Sequence, residues 1–133
     1  MKAGVPLQAQ TITSFTGLFA WQEAHKLVIT IYNITKKFPI EERFGITNQL
    51  RRAAVSITSN IAEGFSRKSN KEKNQFYYQA LGSLTEIQNQ ILIAKDIQYI
   101  HHEEFEPLAR QTVLVSKLIN GLIKKIKQTK SAT

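Results

Sequence analysis

Gln49, Arg52, Ser56, Asn60 and Glu63 recur at spacings of three and four, so on a helix they line up on one face. A cation, a hydroxyl, two amides and a carboxylate in one line suit two uses. One is a polar network that fixes the register of two packed helices. The other is a small-molecule site in which Arg52, Asn60 and Glu63 act together. No nucleophile with an adjacent base accompanies them, which favours the structural use. His101 and His102 stand beside Glu103 and Glu104, a polar cluster at the start of a helix, where carboxylates suit the positive end. No Glu is followed by His at the fourth position, the pair a di-iron bundle needs from two helices. The chain has no Cys for a thiolate site or disulfide, and its six glycines are too scattered to cradle a phosphate. His25 is expected to be a packed, hydrogen-bonded residue. The chain is therefore read as a non-enzyme, with no catalytic residue, metal or cofactor assigned.

The elements that must carry these residues follow from apolar spacing. Over 133 residues, apolar side chains recur at three- and four-residue intervals in four long blocks, the pattern of an all-α protein. The first helix is expected from about Leu18 to Phe38, stopped by Pro39. The second runs from about Ile46 to Phe65, with Gly64 as a left-handed stop. Ser69 and Glu72 form a capping box that opens the third, to about Gln98. The fourth spans about Glu103 to Gln128, with Pro107 disturbing its first turn. Residues 1–17 and 129–133 are read as loose tails, leaving 18–128 as the domain. Short connections between long helices favour antiparallel neighbours, hence an up-down-up-down four-helix bundle. No run is long and apolar enough to span a bilayer, and residues 1–17 lack a signal-peptide core, so a soluble cytoplasmic protein with no membrane partner is expected.

The second helix has one clean apolar stripe, Ile46, Leu50, Ala53, Ala54, Ile57, Ile61 and Phe65. The third buries Phe76, Tyr77, Ala80, Leu81, Leu84, Ile87, Ile91, Leu92 and Ala94, but Ile93 and Ile97 point the other way. On the first helix apolar residues including Leu27 and Ile34 sweep roughly 220°, wider than one buried face requires. Self-association through Leu27, Ile34, Ile93 and Ile97 is the expected reason, with the N-terminal tail folding over this face as the alternative. If the second and third helices form a hairpin centred between residues 67 and 68, facing positions sum to about 135. Arg51 and Arg52 then approach Ser83 and Leu84, within reach of Glu86, and Arg52, Asn60, Glu63 and Glu86 form the register-setting network.

Lys and Arg number 18 against 10 Asp and Glu, a net +8, and the topology sorts that charge. One pole gathers Arg67, Lys68, Lys71, Lys73, Lys124, Lys125, Lys127 and Lys130 against Glu63 and Glu72, a balance of +6. The other sets Lys36, Lys37, Arg43 and Lys95 against Glu41, Glu42, Asp96, Glu103, Glu104 and Glu106, a balance of −2. At ~1.5 Å per residue the poles lie roughly 30 Å apart, several Debye lengths at physiological salt. Arg110, Lys117 and Lys124, seven residues apart, add a basic stripe opposite the fourth helix's apolar line of Leu108, Val115, Leu118, Leu122 and Ile126.

The run from Arg51-Arg52-Ala53-Ala54-Val55-Ser56-Ile57 to Ser59-Asn60-Ile61-Ala62-Glu63-Gly64 is the most specific part of a wider pattern. That pattern also includes Trp21-Gln22-Glu23-Ala24, Ile31-Tyr32, Phe38-Pro39, Phe44-Gly45-Ile46, Gln49, and Gly82-Ser83-Leu84 with Glu86. Over residues 15–126 it resembles the four-helix bundle family known as 23S ribosomal RNA intervening-sequence proteins, with Thr58 where Pro is frequent and Pro107 as a second departure. The resemblance implies a four-helix bundle, often a homopentameric ring, whose genes can lie within intervening sequences of ribosomal RNA genes. A distant relative is the accessory variability determinant of diversity-generating retroelements, a basic partner of a reverse transcriptase and of RNA.

The expected function is a non-enzymatic homo-oligomer binding RNA or other nucleic acid through Arg67, Lys68, Lys71, Lys73, Arg110, Lys117, Lys124, Lys125 and Lys127. Motifs for base recognition are absent, and only Tyr78 is expected as an exposed ring near the basic pole, so phosphate contacts should dominate. The alternative is a scaffold whose basic face docks an acidic protein or a nucleic-acid enzyme such as a reverse transcriptase.

Overall fold

A computed structural model describes residues 14–132, with side chains described through Lys127. Four helices form: α1 (Phe19–Thr35), α2 (Ile46–Ser66), α3 (Asn70–Asp96) and α4 (His102–Ala132). Consecutive helices pack together and α4 returns to α1, which closes an up-down-up-down bundle. Each helix directs one face inward. Leu27 and Ile31 meet Leu50, Ile57 and Ile61, then Leu84, Ile87 and Ile91, then Leu108, Val115 and Ile119, all fully buried. Among the described residues no helix is long and apolar enough to cross a membrane.

Several boundaries depart from the sequence reading. Residues 15–17 are no loose tail: they form a 3-10 turn, with the Phe15 ring 5.4 Å from Trp21 and Gln22 Nε2 donating to the Thr16 carbonyl at 2.9 Å. The remaining N-terminal tail, residues 1–13, lies outside the described residues. α1 ends at Thr35 rather than Phe38. The Thr35 hydroxyl donates back to the Ile31 carbonyl at 2.7 Å, and Phe38 then leaves the axis to enter the core beside Tyr99. α4 begins at His102 and accommodates Pro107 five residues in, where the ring forfeits the helical N–H bond to the Glu103 carbonyl and crowds that carbonyl. Its backbone stays helical to Ala132, past the expected end. Leu92 is exposed rather than core, and the buried line of α4 passes through Thr112 and Ile119.

Ser69 caps α3 as expected, its hydroxyl accepting from the Glu72 amide at 3.1 Å. Gly64 does not stop α2. It sits inside the helix without positive φ, and a Cβ there would meet the Tyr77 ring at 2.6 Å. Glycine is required by the close approach of α2 and α3, where burial also pushes the Tyr77 phenol pKa up. The residue that does turn left-handed is Gln98, at φ 70°, just beyond α3. The turn lets the Tyr99 amide donate to the Ala94 carbonyl at 2.8 Å, satisfying an end carbonyl of the helix.

Candidate nucleic-acid interface

Only three residues join α2 to α3, so Arg67 and Lys68 project from a tight turn while Lys71 and Lys73 follow on the first turns of α3. The end of α4 lies against the same region, because Ile126 and Lys127 line a cleft with Asn70, Lys71 and Tyr78. Lys68, Lys71 and Lys124 are exposed and make no hydrogen bond or ion pair among the described residues. Lys125 is exposed beside them, and the Lys127 ammonium lies 5.8 Å from the centre of the Tyr78 ring.

Lys73 and Arg67, both expected phosphate ligands, are engaged within the bundle. Lys73 donates to the Phe65 carbonyl at 2.6 Å and the Gly64 carbonyl at 3.4 Å, so it caps the negative end of α2. Arg67 pairs with Glu63 at 2.7 Å and lies over the Phe76 ring. The Lys130 side chain lies outside the described residues.

At the opposite pole two lysines meet carboxylates, while Lys36 is exposed without an ion pair among the described residues. Lys37 pairs with Glu104, and Lys95 approaches Asp96 at 3.8 Å. The Lys37 ammonium holds the Glu104 carboxyl below its usual range, helped by the His101 amide, which donates to Glu104 Oε1 at 3.3 Å. Tyr99 donates its phenol proton to Glu42 at 2.9 Å, and that hydrogen bond raises the phenol pKa. On α4, Arg110, Lys117 and Lys124 are all exposed. Arg110 leans toward Glu106 at 3.8 Å, whereas Lys117 has no such neighbour among the described residues.

The ladder on α2 is built differently from the expectation. Ser56 faces Ser83 with their hydroxyls 2.8 Å apart, and Gln90 donates to Gln49 at 3.4 Å. Facing positions therefore sum to about 139, one helical turn from the expected register. Arg52 and Glu86 line one shallow cleft of about 430 Å³ without forming an ion pair. Both charges remain hydrated, which avoids the desolvation cost of a buried pair. Glu86 accepts from Gln90 at 3.2 Å, and Asn60 donates to the Ser56 carbonyl at 2.8 Å. Arg51 turns toward α1, donating to the Thr35 hydroxyl at 2.9 Å and lying over the Tyr32 ring. Arg52, Asn60 and Glu63 do not converge: Arg52 and Glu63 are about 16 Å apart along the helix, and Glu63 is paired with Arg67. His25 is exposed, its ring stacked on Trp21. Among the described residues no group of three acidic or histidine side chains is placed to hold a metal.

Two expected interface residues are absorbed by the monomer. Leu27 is 0% exposed and Ile34 packs half-buried against the core. α1 has neighbours on two sides, α2 and α4, and these explain much of its wide apolar sweep. Ile93 and Ile97 remain 44% and 49% exposed. Phe44, which entered the sequence reading only as part of the family pattern and with no interface role, is 82% exposed beside Arg52 and Glu86. It lies in an interhelical connection, where helical periodicity gives no signal.

The arrangement defines an all-α four-helix bundle with a cationic pole. A sequence profile described as 23S rRNA-intervening sequence protein matches residues 16–121, and the chain belongs to that family. A solved structure from Bacteroides thetaiotaomicron, described as a protein with unknown function from the S23 ribosomal protein family, is similar in fold. It covers 79% of this chain and 95% of its own, with 23% identity and a TM-score of 0.73. No curated protein matches the chain.

Proposed function

We propose that this protein is a cytoplasmic, non-enzymatic homo-oligomer that binds RNA mainly through phosphate contacts at its basic pole. The observation that carries the reading is the contrast between the poles. Lys68, Lys71 and Lys124 stand exposed without anionic partners among the described residues at a pole of balance +6, whereas at the other end, of balance −2, Lys37 is paired with Glu104, Lys95 approaches Asp96 and Lys36 stands open. Phosphates supply the missing counter-charge, and binding releases the counter-ions condensed on RNA. Lys117 extends the cationic surface along α4. Lys73 serves the helix end and Arg67 contributes after sharing its charge with Glu63. Membership of a family named for 23S rRNA intervening sequences is in keeping with an RNA partner.

Ile93, Ile97 and Phe44 form the apolar part of the proposed contact between copies. In a cyclic assembly with its axis along the helices, the basic poles face one way and their fields add. The test is anisotropy of a labelled structured RNA at ~50 mM salt, comparing the protein with its Lys68→Gln/Lys71→Gln/Lys124→Gln variant. Binding weakened tenfold or more, equally for unrelated sequences, is expected. Absence of binding by the parent protein would remove the proposal. A partner that stays bound in pull-downs after nuclease treatment would favour the scaffold reading instead.

A further inference from the structure

The cleft between the start of α3 and the end of α4 has features that phosphate binding does not use. Its volume is about 310 Å³, at the lower end of the ~300–1,000 Å³ typical of small-ligand sites. Tyr78 from α3 and Ile126 from α4 give it apolar walls, and Tyr78 is 49% exposed. Lys71 and Lys127 stand at its edge. Asn74 lines it with a side-chain oxygen that is buried yet accepts no hydrogen bond. Such an orphaned acceptor costs free energy until a donor arrives.

We infer that this cleft is a pocket for one unpaired nucleotide, its base against Tyr78, its edge on Asn74 and its phosphate on Lys71 and Lys127. A planar base suits the aromatic ring, and base edges carry N–H donors beside acceptors, matching the Asn74 side-chain amide once it turns its buried oxygen toward the cleft. A phosphate follows the base, and cations flank the cleft. A purely aliphatic ligand would leave Asn74 unsatisfied. A bare inorganic anion would leave Tyr78 and Ile126 unused. The inference deepens the proposed function: the pole would hold RNA by charge and select loops, bulges or single strands over uniform duplex.

Two titrations test the pocket separately from the pole. In the first, each of the four ribonucleoside monophosphates is added to 15N-labelled protein. Saturable shifts of the Asn74 side-chain amide are expected with at least one of them, retained in Tyr78→Phe and lost in Tyr78→Leu. In the second, an eight-nucleotide single strand and a duplex of equal length are compared by anisotropy. Tyr78→Leu should weaken the single strand about tenfold and leave the duplex unchanged. If RNA binds but the Asn74 amide never responds and Tyr78→Leu weakens neither form, the pocket is wrong and the phosphate reading stands. If monophosphates shift Asn74 while polymeric RNA fails to bind, the pocket stands and the pole reading falls.

Discussion

Gly64 and Gln98 show how single residues shape this bundle for opposite reasons. A methyl group at position 64 would press into the Tyr77 ring, which is held in the core and cannot swing clear as a surface chain would. Gly64→Ala is expected to cost about 1–3 kcal/mol through overpacking, read as an earlier midpoint in urea unfolding. An unchanged midpoint would mean that the helices separate freely at that point. Gln98 holds a left-handed conformation that costs an L-residue about 1–2 kcal/mol relative to glycine. Gln98→Gly should raise stability by up to ~1 kcal/mol, after the added freedom of the unfolded chain is deducted. The sequence pointed to glycine as the helix stop at 64, but glycine also serves close contact, and neighbouring residues do not distinguish the two uses. A left-handed Gln98 has no composition signal at all.

At the scale of the element, helix existence and the Ser69 cap were legible because apolar spacing and capping chemistry are local. Register was not. It depends on which side chains interlock across two helices, and here hydroxyl and amide contacts at Ser56–Ser83 and Gln49–Gln90 set a register one turn from the expected one, in which Arg52 and Glu86 share a cleft without pairing. The contact of Lys37 with Glu104, joining the connection after α1 to the start of α4, was likewise beyond sequence reach. Glu104 has a folded-state pKa below its usual value, so the pair's contribution is fully present above that usual value. It is lost as pH falls through the lowered folded value. Because Lys37 is largely hydrated, the contribution is about 0.5 kcal/mol or less at neutral pH. Thermal unfolding of the parent and Lys37→Met should therefore differ slightly at pH 7 and converge in acid. Curves that stay equally far apart at low pH would place the lysine's effect elsewhere, in packing.

For the whole molecule, the sorting of charge between poles could be read from topology alone, because four alternating rods dictate which chain segments share an end. The sequence overstated the number of available cations, since it could not tell that Lys73 caps α2 or that Arg67 faces Glu63. It also assigned Leu27 to an interface when α2 and α4 already cover α1 on two sides. The exposed pair Ile93 and Ile97 leads to a separate expectation: Ile93→Lys with Ile97→Lys should leave the monomer folded but lower the mass measured by light scattering to that of one chain. An unchanged oligomer would move the contact to another face. The central claim, that an open cationic pole grips RNA phosphates, is tested most directly by the slope of log affinity against log salt. The parent should lose affinity steeply between ~50 and ~200 mM salt, and the Lys68→Gln/Lys71→Gln/Lys124→Gln variant should show a slope shallower by about 2–3. Equal slopes for the two proteins, or RNA affinity indifferent to salt, would contradict it.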